Sequence, residues 1–167
     1  MTDEPTSPYE VDPPDPEPRS GRASLAEQRR AAEADLTVDL KVPEYEDVYV
    51  RYRPVDAPTI RRKLRKHDAD KDAGLLKAYC ELLIDACEGI FHLGDDGTEV
   101  GVDPDRRDEW PGYDHRLAEL LGVKADSAIE VCRSVHVKDG HVYSLAGRLM
   151  EHSGFARSEI EERYRGN

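Results

Sequence analysis

Hydrophobic and polar residues alternate almost without fault from Leu36 to Pro54, in LTVDLKVPEYEDVYVRYRP. A period of two marks a strand with one buried face. It predicts a first strand with Leu36, Val38, Leu40 and Val42 turned inward and Thr37, Asp39 and Lys41 outward. A second strand follows, burying Val48, Val50 and Tyr52 and leaving Asp47, Tyr49, Arg51 and Arg53 outside. Pro43 to Glu46 supply the connecting loop of a hairpin. An isolated hairpin is marginal in water, so its apolar face needs helices to cover it.

The rest of the chain supplies them. TIRRKLRKHDAD has the spacing of a short helix with Ile60 and Leu64 on its inner side. From about Asp72 to Ile90, Leu76, Tyr79, Leu83, Cys87 and Ile90 recur at helical spacing, and Leu75, Leu82 and Ala86 widen the stripe into that of a central buried helix. FHLGDDGTEVGV predicts a tight turn or small hairpin around Asp96-Gly97. DPDRRDEWPGYD is a polar loop anchored by Trp110. Three or four short helices close the chain. HRLAELLGV carries Leu117, Leu120 and Leu121 and stops at Gly122, and ADSAIEVCRSVHV gathers Ile129, Cys132 and Val135. HVYSLAGRLMEHSG gathers Val142, Leu145 and Leu149 ahead of a stop at Gly154, and SEIEERYRGN pairs Ile160 with Tyr164.

Residues 1 to 18 break the pattern, holding six of the eleven prolines beside Asp3, Glu4, Glu10, Asp12, Asp15 and Glu17. Such a segment buries too little apolar surface to offset its ordering entropy, which predicts a disordered acidic arm. Between arm and hairpin, Ser24 and Glu27 have the S-x-x-E spacing of a capping box, placing a short helix at 24–35. The expected division is therefore residues 1–35, the arm with its helix, and residues 36–165, one folded domain. The fold class is mainly α within α+β: an N-terminal β-hairpin packed on a bundle of about five short helices.

A formal net charge of −12 disfavours generic attraction to nucleic acid or to anionic membranes. No apolar run approaches the roughly 20 residues that span a bilayer, and the acidic N-terminus is unlike a secretory signal, so the expected location is inside a cell. Three cysteines without a framework spacing fit a reducing compartment. Cys80 and Cys87, on one helix, would lie about 10 Å apart along its axis, too far to bridge.

Chemistry is sparse. Cys132, His136 and His141, with Cys80 or Cys87, offer zinc ligand types, but the close C-x-x-C pairing is missing and the cysteines fit small buried hydrophobes better. Asp95, Asp96, Glu99, Asp103 and Asp105 do not follow the order of a calcium loop and fit a solvated turn. No phosphate loop, nucleophile elbow or H-E-x-x-H motif is present, and His152-Ser153 are merely sequence neighbours. The expectation is no enzyme, with no catalytic, cofactor-binding or metal-binding residues and no cofactor. The one basic concentration comprises Arg51, Arg53, Arg61, Arg62, Lys63, Arg65 and Lys66. It could contact phosphates, or form a solvated face that pairs with the chain's own acidic arm, and the overall charge favours the second. Tyr49, outward beside Arg51 and Arg53, has the composition of a protein-binding spot, unless a neighbouring helix covers it. These three are the candidate partner-binding residues.

Three stretches together resemble the tail assembly chaperones of long-tailed siphophages, particularly those of actinobacterial hosts. VPEYEDVYVRYRP is similar to that family's opening strand pair, YCELLIDACEGIFHLGDDG to its central helix and glycine turn, and YDHRLAELLGVKADSAIEVCRSV to the helix pair that follows. The similarity spans about residues 36 to 165 and rests on the order and spacing of the motifs. It implies a non-enzymatic protein that binds the tape measure protein and helps recruit subunits of the tail tube, the major tail protein. It also implies residence in the bacterial host's cytoplasm, absence from the mature virion, and in many phages a longer form of the protein made by ribosomal frameshifting. The alternative is a small nucleic-acid-associated regulator or adaptor using the basic cluster from Arg51 to Lys66.

Overall fold

The computed structural model describes residues 23–155. The expected acidic arm and the expected closing helix with Ile160 and Tyr164 lie outside them. The chain divides into two units, Met1–Ala34 and Asp35–Asn167. In the first, helix α1 (Leu25–Ala34) starts at the expected capping box. The Ser24 backbone N–H donates to Glu27 Oε2 at 2.6 Å and the Glu27 N–H to Ser24 Oγ at 3.2 Å, matching two orphan amides reciprocally. An Arg29–Glu33 pair at i,i+4 supports its exposed surface.

The second unit is mixed α+β. Among its described residues are five helices and a four-stranded antiparallel sheet of order β1-β2-β3-β4. The alternation read from the sequence forms the first two strands, β1 (Val38–Lys41) and β2 (Val48–Tyr52), in a register that opposes Leu40 to Val50. Leu40, Val42, Val48, Val50 and Tyr52 are buried as their period requires. Leu36 is not; it precedes β1 and is exposed. Two helices follow, α2 (Ala57–Lys66) and α3 (Asp72–Ala86). Asp56 caps α2, its carboxylate accepting the Thr59 N–H at 2.7 Å.

The expected central helix ends early. At Cys87 the backbone turns to φ −66°, ψ 125°, and the chain passes directly into a third strand, β3 (Cys87–Leu93). Cys87 therefore lies on no helix; the small hairpin expected around Asp96-Gly97 forms as β3 with β4 (Glu99–Gly101), and because β3 also pairs with β2 it joins the first hairpin in one larger sheet. The closing helices are α4 (His115–Leu121), α5 (Ala128–His136) and α6 (Asp139–His152). Gly122, at φ 66°, ends α4 where the sequence places a stop, in a left-handed conformation that suits glycine.

Helices and sheet share one core. The buried face of the hairpin meets Leu76, Tyr79, Leu82 and Leu83 of α3, Val131 and Cys132 of α5, and Val142, Leu145 and Leu149 of α6 in a continuous cluster. α3 packs against α2, α5 and α6, as the width of its apolar stripe requires. Its first turn is set tightly against the end of α2: a Cβ on Gly74 would lie 2.0 Å from the His67 carbonyl oxygen and 2.4 Å from that of Asp68. Gly74→Ala is expected to cost about 1–3 kcal/mol of stability, since backbone must move to admit the methyl group. Gly140→Ala in α6, where a Cβ meets nothing within 4 Å, is the control. Equal urea midpoints for the two variants would contradict the close approach.

Candidate functional site

Tyr49 and Arg51 occupy the sheet face opposite the helical core, as alternation along β2 dictates. That face is covered by residues 102–112, not by a helix. The segment leaves β4 at Gly101, whose N–H donates to the Arg107 carbonyl at 2.8 Å, and returns so that the Pro111 carbonyl accepts the Ile90 N–H of β3 at 2.9 Å. Two glycines admit it: a Cβ at Gly89 would lie 2.5 Å from the Trp110 Cβ, and one at Gly101 would lie 2.1 Å from the Glu109 carbonyl oxygen. Trp110 is thus the anchor of the polar loop that the sequence suggests.

The covering builds an aromatic ladder. Tyr49 stands opposite Phe91 in the β2–β3 register, with ring centroids 6.1 Å apart, and Phe91 stacks on Trp110 at 4.3 Å. The Arg51 guanidinium lies 5.3 Å from the Phe91 centroid and 4.9 Å from that of Trp110. It donates to both Asp39 oxygens at 2.8 Å and to Glu99 Oε1 at 2.7 Å. The Asp39 bond chiefly, with Glu99 adding and burial opposing, raises the guanidinium's pKa and secures its charge. Arg51 is therefore a tie across the sheet, and Tyr49 is half-buried. Arg53 sits apart from both. Beyond the end of β2, its N–H donates to the Ala86 carbonyl at 2.9 Å and its guanidinium to the Asp85 carbonyl at 2.8 Å, matching carbonyls left open where α3 ends.

The basic concentration also divides. Lys63 bridges Glu81 and Asp85 of α3 at 3.0 and 2.6 Å, Lys66 reaches Glu81 at 2.7 Å, and His67 Nε2 lies 3.0 Å from the same carboxylate. Burial alone would raise the Glu81 pKa, but hydrogen bonds from Lys66, Lys63 and His67 outweigh it and hold the group at about 2. The expected pairing with the acidic arm lies outside the described residues; the carboxylates that meet these two lysines belong to α3. Arg61, Arg62 and Arg65 are exposed on the outer side of α2. Two of them bond within the helix, Arg61 to the Ala57 carbonyl and Arg62 to the Thr59 hydroxyl.

A buried polar chain joins the layers. The Tyr52 and Tyr113 hydroxyls are 2.5 Å apart, and Tyr113 lies 2.9 Å from Nε2 of His136, whose Nδ1 meets no partner. Three donor hydrogens share two bonds, so one stays unmatched. A protonated imidazole would add a further donor with no acceptor, and burial, with a smaller effect from His141, depresses the His136 pKa to about 4. Burial also raises Tyr52 and Tyr113 well above the ordinary phenol range. Sequence reasoning weighed His136 only as a metal ligand and left Tyr113 in a polar loop. The inward period of Tyr52 was the one available signal, since a buried phenol needs a partner.

The metal donors do not assemble: among the described residues no group of three His, Cys, Asp or Glu side chains could hold a metal ion. Cys80 and Cys132 instead meet across the α3–α5 contact, where the hydrogen bond that the Cys132 thiol donates to Cys80, and then burial, raise the Cys132 pKa. Burial pushes Cys87 up to about 12. Two shallow clefts, of about 320 and 300 Å³, are lined by Arg53, Val55, Asp56, Arg62 and Asp85 and by His92, Val102 and Arg107 respectively. Neither touches the buried tyrosine–histidine chain. No described helix is long and apolar enough to cross a membrane. Comparison of the chain with protein-family models, curated proteins and solved structures finds no match.

Proposed function

We propose that this protein is a non-enzymatic tail assembly chaperone of the siphophage type, binding the tape measure protein and helping to recruit tail tube subunits. One observation carries the reading: the three stretches that resemble that family occur in the family's order within one unit. VPEYEDVYVRYRP falls on the β1–β2 hairpin, YCELLIDACEGIFHLGDDG on α3, β3 and the turn after it, and YDHRLAELLGVKADSAIEVCRSV on α4 and α5. The hairpin with five helices, α2 to α6, supports the expected architecture. The departure is that the central helix ends at Ala86 and not near Ile90, with β3 between it and the glycine turn.

The physical character of the chain fits the role. A client that is long, helical and aggregation-prone is kept in solution by a partner with a strongly charged exterior, and 36% of these residues are charged. The work is non-covalent, done in the bacterial host's cytoplasm, with the protein absent from the finished virion. Co-expression with a siphophage tape measure polypeptide is expected to move that polypeptide from the insoluble to the soluble fraction. A tape measure polypeptide equally insoluble with and without this chain would refute the proposal.

A further inference from the structure

We infer that the outer side of α2, with the cleft at its first turn, is a docking surface for an acidic segment of another polypeptide. This inference does not rest on the chaperone reading. Its basis is a mismatch of charge. The protein has 36 acidic against 24 basic side chains, and many cations find carboxylates: Arg51 takes Asp39 and Glu99, Arg116 takes Asp103 and Glu109, Arg133 takes Asp139, and Lys138 takes Glu44, while others such as Lys77, Lys124 and Arg148 stand exposed and scattered. Among the described residues Arg61, Arg62 and Arg65 form no ion pair, Arg62 acting on Asp56 only at a distance, and the three stand together on one side of a single helix.

The same sorting holds in the adjoining cleft, where Arg53 and Arg62 meet Asp56 and Asp85. Asp56 already accepts the Thr59 N–H, and Asp85 already holds Lys63 at 2.6 Å. The lining carboxylates are engaged, and the guanidiniums keep most of their donors open to solvent. Arg61 and Arg65 are one helical turn apart, about 6 Å along the axis. Arg62 lies beside them on the same side, so the surface presents guanidiniums at the spacing of carboxylates on one side of a second helix. A guanidinium fork matches a carboxylate with two parallel bonds, which favours Arg over Lys for this task.

Reach selects a polypeptide over nucleic acid. α2 is about 15 Å long, and screening limits the field of its arginines to about 8 Å at physiological salt. A duplex presents a phosphate charge about every 1.7 Å and continues past the patch, where it faces a protein of net charge −12. A short acidic segment ends where the patch ends.

The test uses the full chain and fluorescence anisotropy with two labelled probes, a short helical peptide bearing glutamate at every fourth position and an oligo(dT) of the same length. The peptide is expected to bind at about 50 mM salt and to weaken toward about 200 mM. Arg62→Gln with Arg65→Gln is expected to weaken it about tenfold. Lys124→Gln with Arg148→Gln removes the same formal charge from other exposed positions and is expected to leave binding unchanged. Unaltered thermal transitions will show that all variants fold. Absence of peptide binding at low salt, equal weakening by both double variants, or tighter binding of the oligo(dT) would each overturn the inference.

Discussion

Phe91→Ala is expected to lower the free energy of unfolding by about 3–5 kcal/mol, the largest loss from any single truncation on the sheet face away from the helices. Phe91 is fully buried although it points away from the main core. It is the middle rung between Tyr49 and Trp110, and the Arg51 guanidinium lies over it. Removing the ring leaves a cavity beneath Trp110, whose position Gly89 fixes, so the backbone cannot readily collapse to fill it. Tyr49→Ala removes a half-buried ring from the ladder's end and should cost less. Urea unfolding of both variants decides the matter. A Phe91→Ala loss below about 1 kcal/mol would mean that residues 102–112 add little to the sheet.

The second large effect is on acid stability. The His136 pKa falls to about 4 in the folded chain, against 6.5 for an ordinary histidine. Between those values the unfolded chain binds a proton that the folded chain refuses, so stability falls as pH falls. The contribution is complete above about pH 6.5 and declines toward pH 4, a loss of about 3 kcal/mol. Glu81, held at about 2 against an ordinary 4.5, adds its own loss only below about pH 4.5. The interval from pH 6.5 to 5 therefore isolates His136. Urea midpoints over that interval should fall in the wild-type chain and stay nearly level in His136→Leu, whose absolute stability will be lower because Tyr113 loses one of its two partners. Parallel slopes in the two proteins would remove His136 as the cause.

The strands that were plain in the sequence were those with one wet face. β1 and β2 alternate because Asp39, Lys41 and Arg51 meet solvent or ions while Leu40, Val50 and Tyr52 meet helices. β3 is different. Gly89, Ile90 and Phe91 are buried consecutively because helices lie on one side of the strand and Trp110 on the other. A strand covered on both faces loses its period, and Leu83, Cys87 and Ile90 then continue the stripe of α3. No glycine or proline stands at the junction itself; the change of direction at Cys87 is imposed by pairing with β2. The capping box at Ser24 with Glu27 and the stop at Gly122 were legible, whereas the side-chain caps at Asp56 and Asp114 were not, because neither carries the paired S-x-x-E signal or a glycine. Ser127, the cap of α5, has that spacing to Glu130 and was nonetheless missed. The partners of the charged residues were not legible. That Lys63 and Lys66 would meet Glu81 while Arg61 and Arg65 would not depends on which side of α2 faces α3. That Arg53 would serve the end of α3 depends on where that helix stops.

The excursion from Gly101 to Pro111 also sets a limit on self-association. Strand-to-strand polymerisation needs two open borders per molecule, one to receive and one to offer. Here the Gly101 amide on the fourth strand's outer side is already spent on Arg107 of the same chain. Copies meeting border to border through the first strand would find that amide of the opposite border already taken, which disfavours growth into a filament.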